Sequence, residues 1–468
     1  MFTSMRTLNF KGWQDTGHID LRPITGFFGA NSSGKTSLLQ LLLLLKQTVA
    51  SADRRQVLDL GGDRNALIAL GLIKDIFFNQ ASDRTMSLRF EWHLNGRKLS
   101  PADPTRPNQD LFSSDWISFQ SDIALRGEHP YVKRLEYAAD NAHVEMTSST
   151  TRGSRVDPEY KLEARINGDS EFLARRGRGR AWHLPPPAKC YGFPDEVSAY
   201  FRNADFVSEL ELELERQFGN RLFYLGPLRN YPERQYTWQG SRPSDVGRSG
   251  ERAVDALLAS RLRGRTNTRK LDKRGRAIRR ITLEEHVAGW LQDLELISTL
   301  KIERISQDAD IYRVRVTRAQ DLTPVLLTDV GFGVSQILPV LVLLAYVDEG
   351  STVLLEQPEI HLHPAVQASL ADVIVEVATV RKVQVIIESH SEHLLRRLQR
   401  RVSEQDLNPD DVALYFCENT GEGSEIKSLE LDQFGEIANW PPGFFGDPFG
   451  ETAAIVEAGL LQRTHSPA

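Results

Sequence analysis

The sequence predicts an α/β fold in which a mixed sheet is flanked by helices and carries a large inserted β-rich and helical lobe. An apolar strand at 24–28 runs through a glycine-containing loop into a leucine-rich helix. Two later apolar runs end at Leu355 and Ile387, and polar residues follow each of them, as at the carboxyl ends of buried parallel strands. The long region between these parts is broken by Pro, Asn, Asp and Gly, which is typical of short strands joined by turns.

The loop between the first strand and helix has the spacing of a phosphate-binding loop, G-x-x-x-x-G-K-[ST]. Glycines let backbone N–H groups turn toward a phosphate, and the following helix points its positive end at the same oxygens. Lys35 is expected to reach the β- and γ-phosphates, and the Thr36 hydroxyl to hold Mg²⁺. The predicted cofactor-binding residues of this loop are Gly29, Asn31, Ser32, Ser33, Gly34, Lys35, Thr36 and Ser37.

Bulk composition narrows the class of protein. The chain has 468 residues, enough for two or three lobes, and no apolar run approaches the roughly 20 residues of a membrane-spanning helix. Cys190 and Cys417 lie far apart in sequence, which argues against disulfides and structural zinc. Because the start also lacks a secretion-signal pattern, we expect a cytoplasmic protein without membrane contact. The formal net charge of −6 excludes a protein that coats nucleic acid through an overall positive charge, so any nucleic-acid contact is expected at a local basic patch.

The inserted lobe is predicted to occupy residues 55–220. Strand-like pieces such as "SLRFEWHL" and "DWISFQSDIAL" alternate with turn residues, and "HLPPPAKCYGFP" is a clear break. The stretch "SAYFRNADFVSELELELERQFG" that follows has a helical pattern. We therefore expect a β-rich part that ends near Pro194, followed by a helical part.

A strongly basic stretch extends from Arg261 to Arg280 and contains ten basic residues against one acid, Asp272. A second basic cluster consists of Arg175, Arg176, Arg178 and Arg180. Such charge density suits sequence-independent contact with a nucleic-acid backbone, since neither stretch has residues arranged to read bases. The alternatives are a solvated surface and a patch for an acidic protein partner.

A second glycine-serine segment, "GFGVSQ", precedes a strongly apolar helix that we expect to begin near Gln336. Gly333 and Ser335 would offer free N–H groups and a hydroxyl at the positive end of this helix. Since one phosphate loop is already present, this segment suits a γ-phosphate presented by another subunit. The alternative is a simple N-cap on a core helix.

The apolar run before Glu356 is predicted to place this acid at the end of a central parallel strand, where a nucleotide's Mg²⁺ shell is completed. The next residue, Gln357, can orient a water molecule but cannot accept its proton. We therefore expect slow or conditional hydrolysis unless Glu359 or another base takes the proton. His361 and His363 form an H-x-H pair without a third ligand nearby, which is a weak metal signal.

The β-branched run that ends at Ile387 is followed by "ESHSEH" and an amphipathic helix. His390 then follows the end of a strand, where it is placed to meet a γ-phosphate and to sense its loss. Taken alone, such a histidine is more often a hydrogen-bonded core residue. The neighbouring motifs favour the sensor hypothesis.

These four motifs, in this order, resemble the ABC-type ATPase heads of the SMC and overcoming-lysogenization-defect (OLD) group. More closely, the chain resembles bacterial AAA-family ATPases whose sequences end in a "NWPPGFF" block, here Asn439 to Phe445. The resemblance covers residues 1–50, about 220–250, and 325 to the end.

The resemblance implies a P-loop NTPase head that binds ATP and Mg²⁺ between two subunits, in a homodimer or larger homo-oligomer. It implies that Glu356 is the Walker B acid and a metal ligand together with Thr36. It also implies that Gln357 occupies the position of the catalytic glutamate and that His390 is the switch. Gly333 and Ser335 would act in trans, on the partner subunit's nucleotide.

The predicted segments follow from this resemblance. They are an N-terminal part of the head (1–54), the inserted lobe (55–220), a connecting region with the basic loop (221–324), a C-terminal part of the head (325–402) and a C-terminal αβ tail (403–468). The inserted lobe lacks the sustained heptads of SMC proteins. The residues after His390 show no evident acid cluster for the TOPRIM nuclease domain of OLD proteins.

The resemblance further implies an ATP-operated sensor or switch for a separate effector, often a nuclease, in anti-phage defence. Gln357 raises an alternative, a nucleotide-bound scaffold that holds a protein partner and hardly hydrolyses ATP. An OLD-like nuclease is the third hypothesis, disfavoured by the short C-terminal stretch.

Overall fold

A computed structural model provides the coordinates of the chain. It describes residues 1–63, 66–81, 83–104, 106–149, 159–177, 183–272, 275–306, 309–318, 321, 323–442, 444–445 and 453–458. The arginines at positions 178 and 180 of the second basic cluster lie outside the described residues, as does Gly443 of the "NWPPGFF" block.

The strands of the described chain form four sheets. They are β1 Phe2–Phe10, β2 Trp13–Asp15, β3 Ile19–Asp20, β4 Ile24–Gly29, β5 Met86–His93, β6 Ala102–Asp103, β7 Arg106–Asp110, β8 Trp116–Arg126, β9 His129–Ala139, β10 Ala142–Ser148, β11 Tyr160–Ile166, β12 Leu222–Leu225, β13 Tyr236–Thr237, β14 Ile297–Ser306, β15 Ala309–Arg318, β16 Val325–Leu326, β17 Thr352–Glu356, β18 Gln384–Glu388, β19 Val412–Asn419 and β20 Ser424–Leu429.

The α-helices pack mainly around one of these sheets. They are α1 Lys35–Ala50, α2 Glu196–Tyr200, α3 Val207–Glu215, α4 Ala253–Ser260, α5 Leu283–Asp293, α6 Phe332–Tyr346, α7 Pro364–Thr379 and α8 Glu392–Ser403. Helix α5 begins where the sequence favours it, because Thr282 and Glu285 form a reciprocal capping box. The predicted helix at 198–219 is instead two helices, α2 and α3, which are separated by 201–206 and followed by a π-helical turn at Arg216–Asn220.

The central sheet has the strand order β12-β17-β18-β4-β19-β20, parallel except for the edge strand β20. Strand β4 leads into the glycine loop, and it lies between β18 and β19. All parallel strands therefore end at one edge of the sheet, and the loop begins at that edge. This arrangement confirms the predicted mixed sheet flanked by helices.

An eight-stranded antiparallel sheet, ordered β11-β10-β9-β8-β5-β1-β2 with β3 also paired to β1, forms a second layer. It combines β1, β2 and β3 from the N-terminal segment with strands of the inserted lobe, because β5 pairs directly with β1. The predicted boundary at residue 54 therefore does not divide the structure. Local sequence could not show this pairing, which joins residues about 80 positions apart.

The predicted C-terminal tail is also integral to the head. Strand β19 pairs in parallel with β4 along its length, from Val412 opposite Ile24 to Cys417 opposite Gly29. Residues of the terminal block cover the sheet, since the ring of Phe444 packs edge-to-face on Phe28 and on Phe416. The segment after residue 403 thus completes the sheet that carries the glycine loop.

Helix α1 lies between the two sheets, which explains its leucine-rich sequence. One face of the central sheet, with Phe27 and Leu354, joins α1 and the antiparallel sheet in a single hydrophobic cluster. The opposite face, with Phe28 and Leu355, packs against α6, α7 and α8. Alternate residues along each strand thus belong to different layers.

The two ends of α1 are held by elements of the antiparallel layer. Trp13 of β2 donates its indole N–H to the carbonyl of Gly34 at 3.2 Å, beside the start of the helix. At the other end, the Lys189 ammonium donates to the carbonyls of Val49 (3.1 Å) and Ser51 (2.7 Å). A cation at this end also complements the helix dipole.

Gln384 links the two sheets at the amino ends of the central strands. This side chain is 1% exposed. Its carbonyl oxygen accepts from the Phe2 N–H (3.0 Å) and the Thr352 hydroxyl (2.9 Å). Its amide donates to the carbonyls of Phe2 (2.7 Å) and Arg22 (3.1 Å). One buried amide therefore satisfies polar groups from three segments of the chain.

We predict that Gln384→Met destabilises the protein by about 2–4 kcal/mol, because several buried donors and acceptors would lose their partner together. Urea unfolding followed by circular dichroism measures the change. Gln433→Met serves as the control at an exposed position, with an expected change of less than about 0.5 kcal/mol. Equal effects of the two substitutions would show that the link contributes little to stability.

Candidate functional site

The glycine loop approaches the neighbouring strand so closely that side chains are excluded. Gly29 has φ +136°, and a Cβ atom there would lie 2.0 Å from the Cys417 carbonyl oxygen. Gly34 has φ +92°, and a Cβ there would lie 2.9 Å from Ser424 Cβ and 3.0 Å from Trp13 Cε2. Both glycines of the predicted motif are therefore required by the backbone path as well as by space.

Lys35 folds its ammonium back over the loop. Nζ donates to the carbonyls of Gly29 (3.1 Å) and Ala30 (2.6 Å) and to Ser33 Oγ (3.3 Å). The residue is 3% exposed, and burial lowers the pKa of its ammonium, a shift that the carboxylate of Glu388 opposes. A positive charge is thus held within the loop, as the phosphate-loop prediction requires.

Thr36, at the start of α1, reaches across to strand β18. Its hydroxyl donates to Glu388 Oε1 at 2.8 Å. Glu388 is 2% exposed, and its second oxygen, Oε2, has no hydrogen-bond partner. Burial, and then the nearby charge of Glu356, raise the pKa of Glu388 to about 7. Sequence analysis missed Glu388 as a site residue, although it ends an apolar strand in the same way as Glu356 does.

Glu356 ends β17 directly beside Glu388, its register partner on β18. Glu356 Oε2 accepts from the Tyr224 hydroxyl at 2.6 Å. Burial raises the pKa of Glu356, and the hydrogen bond from Tyr224 opposes that shift. Two acidic side chains therefore lie on adjacent parallel strands at the edge where the loop begins.

Gln357 follows in a strained conformation, with φ +45°. Its N–H donates to the Glu388 carbonyl at 2.8 Å. The buried guanidinium of Arg229 donates to the carbonyls of Gln357 (3.1 Å) and Glu356 (3.3 Å). Burial lowers the pKa of Arg229 to about 10. The turn after β17 is thus fixed from both sides.

Glu359 binds the segment that contains His390. Its Oε1 accepts from the Ser389 hydroxyl (2.7 Å) and from the His390 N–H (2.8 Å), and its Oε2 has no hydrogen-bond partner. Burial raises the pKa of this carboxyl group, which is 6% exposed. Glu359 thus contacts the segment around His390 through one oxygen and does not line the cleft described below, and its role as a base stays a prediction.

His390 lies against the phosphate loop. Burial and then the charge of Lys35 lower the pKa of its imidazole, while a hydrogen bond with the Gly29 backbone opposes the shift. The ring is therefore neutral near pH 7. A neutral imidazole beside the loop can donate a hydrogen bond to a phosphate oxygen without adding charge.

These side chains surround a cleft of about 320 Å³. It is lined by Gly12, Asn31, Ser32, Ser33, Gly34, Lys35, Thr36, Ser37, Gln357, Glu388, His390, Asn419 and Ser424. The structure thus brings most of the predicted residues to one place. Asn419 and Ser424 come from β19 and β20, whose position beside the loop no local motif indicated.

The glycine-serine segment lies elsewhere, since neither Gly333 nor Ser335 lines the cleft. Helix α6 begins at Phe332 and not near Gln336, so both residues belong to its first turn. The Ser335 hydroxyl is buried and donates to the Phe332 carbonyl at 2.8 Å. The predicted helix start near Gln336 is therefore wrong, and the contact of Ser335 with another subunit stays a prediction. Gly331 and Phe332 are the exposed residues at this helix start.

The two histidines after Glu359 have local roles. The His361 ring packs edge-to-face on Phe332 at 4.9 Å between centroids. His363 caps α7, with Nδ1 accepting from the Ala365 N–H at 3.3 Å. These contacts explain the H-x-H pair without a metal.

The oxygen groups at the strand edge fit Mg²⁺. Mg²⁺ is usually bound by one or two carboxylates together with phosphate oxygens and water. Thr36, Glu356 and Glu388 supply a hydroxyl and two carboxylates, and the Oε2 atom of Glu388 lacks a partner. Within the described residues, no group of three or more His, Cys, Asp or Glu side chains is arranged for a metal.

The basic stretch from Arg261 to Arg280 is tied to the body of the protein. Arg269 pairs with Glu376 of α7 at 3.1 Å, and Arg261 with Glu284 of α5 at 3.1 Å. Arg280 donates to the Thr266 carbonyl at 2.6 Å. Since such pairs give several of these arginines a structural role, fewer cations are available for a nucleic-acid backbone than the sequence predicted.

The central sheet thus brings the glycine loop, two acidic strand ends and His390 to one edge. Residues 202–396 match the family described as "AAA domain, putative AbiEii toxin, Type IV TA system". Residues 407–455 match a second family, described as a protein of unknown function, DUF3696. No curated protein matches the chain.

Solved SMC heads are similar to the chain at low identity. An SMC head bound to the C-winged helix domain of ScpA is 11% identical, with a TM-score of 0.47 over 92% of this chain and 98% of that chain. The SMC head domain from Thermotoga maritima is 9% identical, with a TM-score of 0.40 over 92% and 99%. The Pyrococcus furiosus Smc head with an extended coiled coil, bound to the C-terminal domain of ScpA, is 10% identical, with a TM-score of 0.45 over 98% of both chains.

Among the described residues, no helix has both the length and the apolar character needed to cross a membrane.

We predict that Gly34→Ala lowers nucleotide affinity at least roughly tenfold, because the new Cβ would displace the loop from Ser424 and Trp13. Gly168→Ala is the matched control, since Gly168 has a similar φ of +86° with nothing within 4 Å of the added atom. Both substitutions should cost about 1 kcal/mol in backbone strain. Fluorescence titration with a labelled ATP analogue measures affinity. Wild-type affinity in Gly34→Ala would mean that the close packing does not shape the loop.

Proposed function

We propose that the protein binds ATP with Mg²⁺ and hydrolyses it slowly or conditionally, as a switch for a separate effector protein. The observation that carries this proposal is the convergence of Lys35, Thr36, Gln357 and His390 on one cleft with two acidic strand ends beside it. In this arrangement the loop N–H groups and Lys35 bind the β- and γ-phosphates.

The remaining residues then have distinct roles. Thr36 and Glu356 hold Mg²⁺, which neutralises charge on the phosphates when bound. Gln357 orients the attacking water, and His390 contacts the γ-phosphate. Glu359 positions His390 through its hydrogen bond to the His390 N–H. Hydrolysis is slow in this scheme because the amide of Gln357 cannot accept the proton of the water.

A second subunit would complete the site, as in the dimeric heads that the sequence resembles. Exposed apolar side chains beside the start of α6 support a contact surface there: Leu228 is 80% exposed, Tyr231 69% and Phe332 40%. The rings of Tyr231 and Phe332 pack together at 5.3 Å between centroids. In this proposal the backbone N–H groups at Gly331–Gly333, rather than the Ser335 hydroxyl, face the partner's nucleotide.

The role in anti-phage defence, with an effector such as a nuclease, rests on the resemblance of the motifs. The description of the matched family as a putative toxin of a type IV toxin–antitoxin system supports a defence-related partnership. A neighbouring gene that encodes a nuclease or toxin would favour this role.

Gln357 favours a second candidate function, an ATP-bound scaffold that holds a protein partner with almost no turnover. The two functions differ in steady-state phosphate release and share ATP binding. The nuclease hypothesis differs from both, since it requires metal-dependent cleavage of nucleic acid by the purified chain.

We predict that Lys35→Ala loses ATP binding and reduces phosphate release to background, because the loop would lose its buried cation. Gln357→Glu should raise turnover by roughly tenfold or more, since a carboxylate can accept the proton of the attacking water. Steady-state phosphate release with ATP and Mg²⁺, with and without DNA, measures both effects.

Lys74→Ala, at an exposed position, is the control and should behave as the wild type. ATP binding with turnover at the Lys35→Ala background would favour the scaffold. Absence of ATP binding by the wild type would refute both the switch and the scaffold.

A further inference from the structure

Glu388 is a buried acidic side chain at the edge of the cleft, and one of its two carboxyl oxygens has no hydrogen-bond partner. It is 2% exposed and lines the cleft next to Lys35 and Thr36. One oxygen accepts from the Thr36 hydroxyl at 2.8 Å, and the other has no hydrogen-bond partner. A buried, half-satisfied carboxylate is costly unless a ligand completes it.

The position of Glu388 relative to Glu356 is fixed by strand register. The two residues are direct partners in the parallel pair of β17 and β18. Side chains at paired positions of adjacent strands point to the same face, about 5 Å apart at their bases. The two acids therefore stand side by side, with Thr36 already bonded to Glu388 and Tyr224 bonded to Glu356.

We propose that Glu388 is a direct ligand of the Mg²⁺ ion at this site, together with Thr36 and Glu356. This inference rests on the proposed binding of ATP with Mg²⁺. The hydroxyl that a phosphate loop offers to the metal is the group to which Glu388 is bonded here, so the carboxylate is already within reach of the same ion. A divalent cation would neutralise the buried carboxylate of Glu388 and the partly buried one of Glu356, whose charges otherwise repel each other.

Glu388 also adds a negative charge beside the end of β17, where Gln357 is uncharged. Gln357 leaves Glu356 as the acid at the end of β17, so the metal would have one carboxylate from that strand. Glu388 supplies a second carboxylate from the neighbouring strand.

A simpler role is that Glu388 orients the Thr36 hydroxyl and does not bind the metal. The two roles differ in how the charge of Glu388 affects Mg²⁺. Glu388→Gln retains the shape and a carbonyl oxygen for Thr36 but removes the charge. Glu388→Gln therefore preserves the orientation of the Thr36 hydroxyl and, if Glu388 is a ligand, weakens metal binding. Glu388→Asp keeps the charge on a shorter side chain.

The test measures the affinity for a non-hydrolysable ATP analogue by isothermal titration calorimetry, in excess Mg²⁺ and in EDTA. The ratio of the two dissociation constants is the Mg²⁺ coupling factor, which by linkage also reports how strongly the nucleotide favours metal binding. We expect Glu388→Gln to reduce this factor at least roughly tenfold, with affinity in EDTA equal to or higher than that of the wild type. Glu388→Asp should retain a larger factor than Glu388→Gln.

Glu425→Gln, at an exposed position on β20, is the control and should leave the factor unchanged. Electron paramagnetic resonance of Mn²⁺ in the analogue complex gives a second readout, with weaker Mn²⁺ binding expected in Glu388→Gln. An unchanged coupling factor in Glu388→Gln would overturn the inference while leaving ATP binding intact. If Glu388→Gln does not fold, Glu388→Ala replaces it, and a wild-type coupling factor with unaltered Mn²⁺ spectra in that variant would overturn the inference instead. Failure of the wild type to bind the analogue would overturn the proposed function itself.

Discussion

The parallel register of β4, β18 and β17 is the constraint on which the rest of the site depends. It brings three strand ends to one edge, so that the loop after Gly29 begins beside Glu388 and Glu356. The register is set by apolar side chains that enter both faces of the sheet, with α1 on one side and α6, α7 and α8 on the other. A shift of one residue would exchange these two faces, which makes the arrangement of the acids a consequence of core packing.

The burial that shapes the site also makes it electrostatically expensive in the free protein. Lys35, Glu356, Glu359 and Glu388 all have pKa values moved toward the neutral form by desolvation. Lys35 donates hydrogen bonds to loop carbonyls, whereas the three glutamates accept theirs from the hydroxyls of Tyr224, Ser389 and Thr36. Binding of a charged ligand with its counterion would offset the free-energy cost of burying these charges. This agrees with the proposed role as a nucleotide-dependent switch.

Features formed by residues close in sequence could be predicted from the sequence, whereas features that depend on contacts between distant segments could not. The phosphate loop could be predicted because its glycines, lysine and threonine lie within eight residues and form one local structure. By contrast, β19 beside β4 and β5 beside β1 are pairings between distant segments, which a pattern of local apolar residues does not specify. The start of α6 was predicted four residues too late, because no side-chain cap marks it and helix starts shift easily in that case. The arginines from 261 to 280 predicted a basic surface. Their ion-pair partners on α5 and α7 could not be predicted, because these pairs depend on tertiary packing.

Helix α1 has a mechanical consequence that follows from how its two ends are held. Trp13 bonds beside its first turn and Lys189 bonds to its last carbonyls, and both side chains belong to the layer built around the antiparallel sheet. An α-helix resists compression along its axis, because its backbone hydrogen bonds run parallel to that axis. A force applied to the inserted lobe at Lys189 would therefore be transmitted along α1 to the glycine loop. Movement of the lobe would in this way change the position of the loop in the proposed nucleotide site.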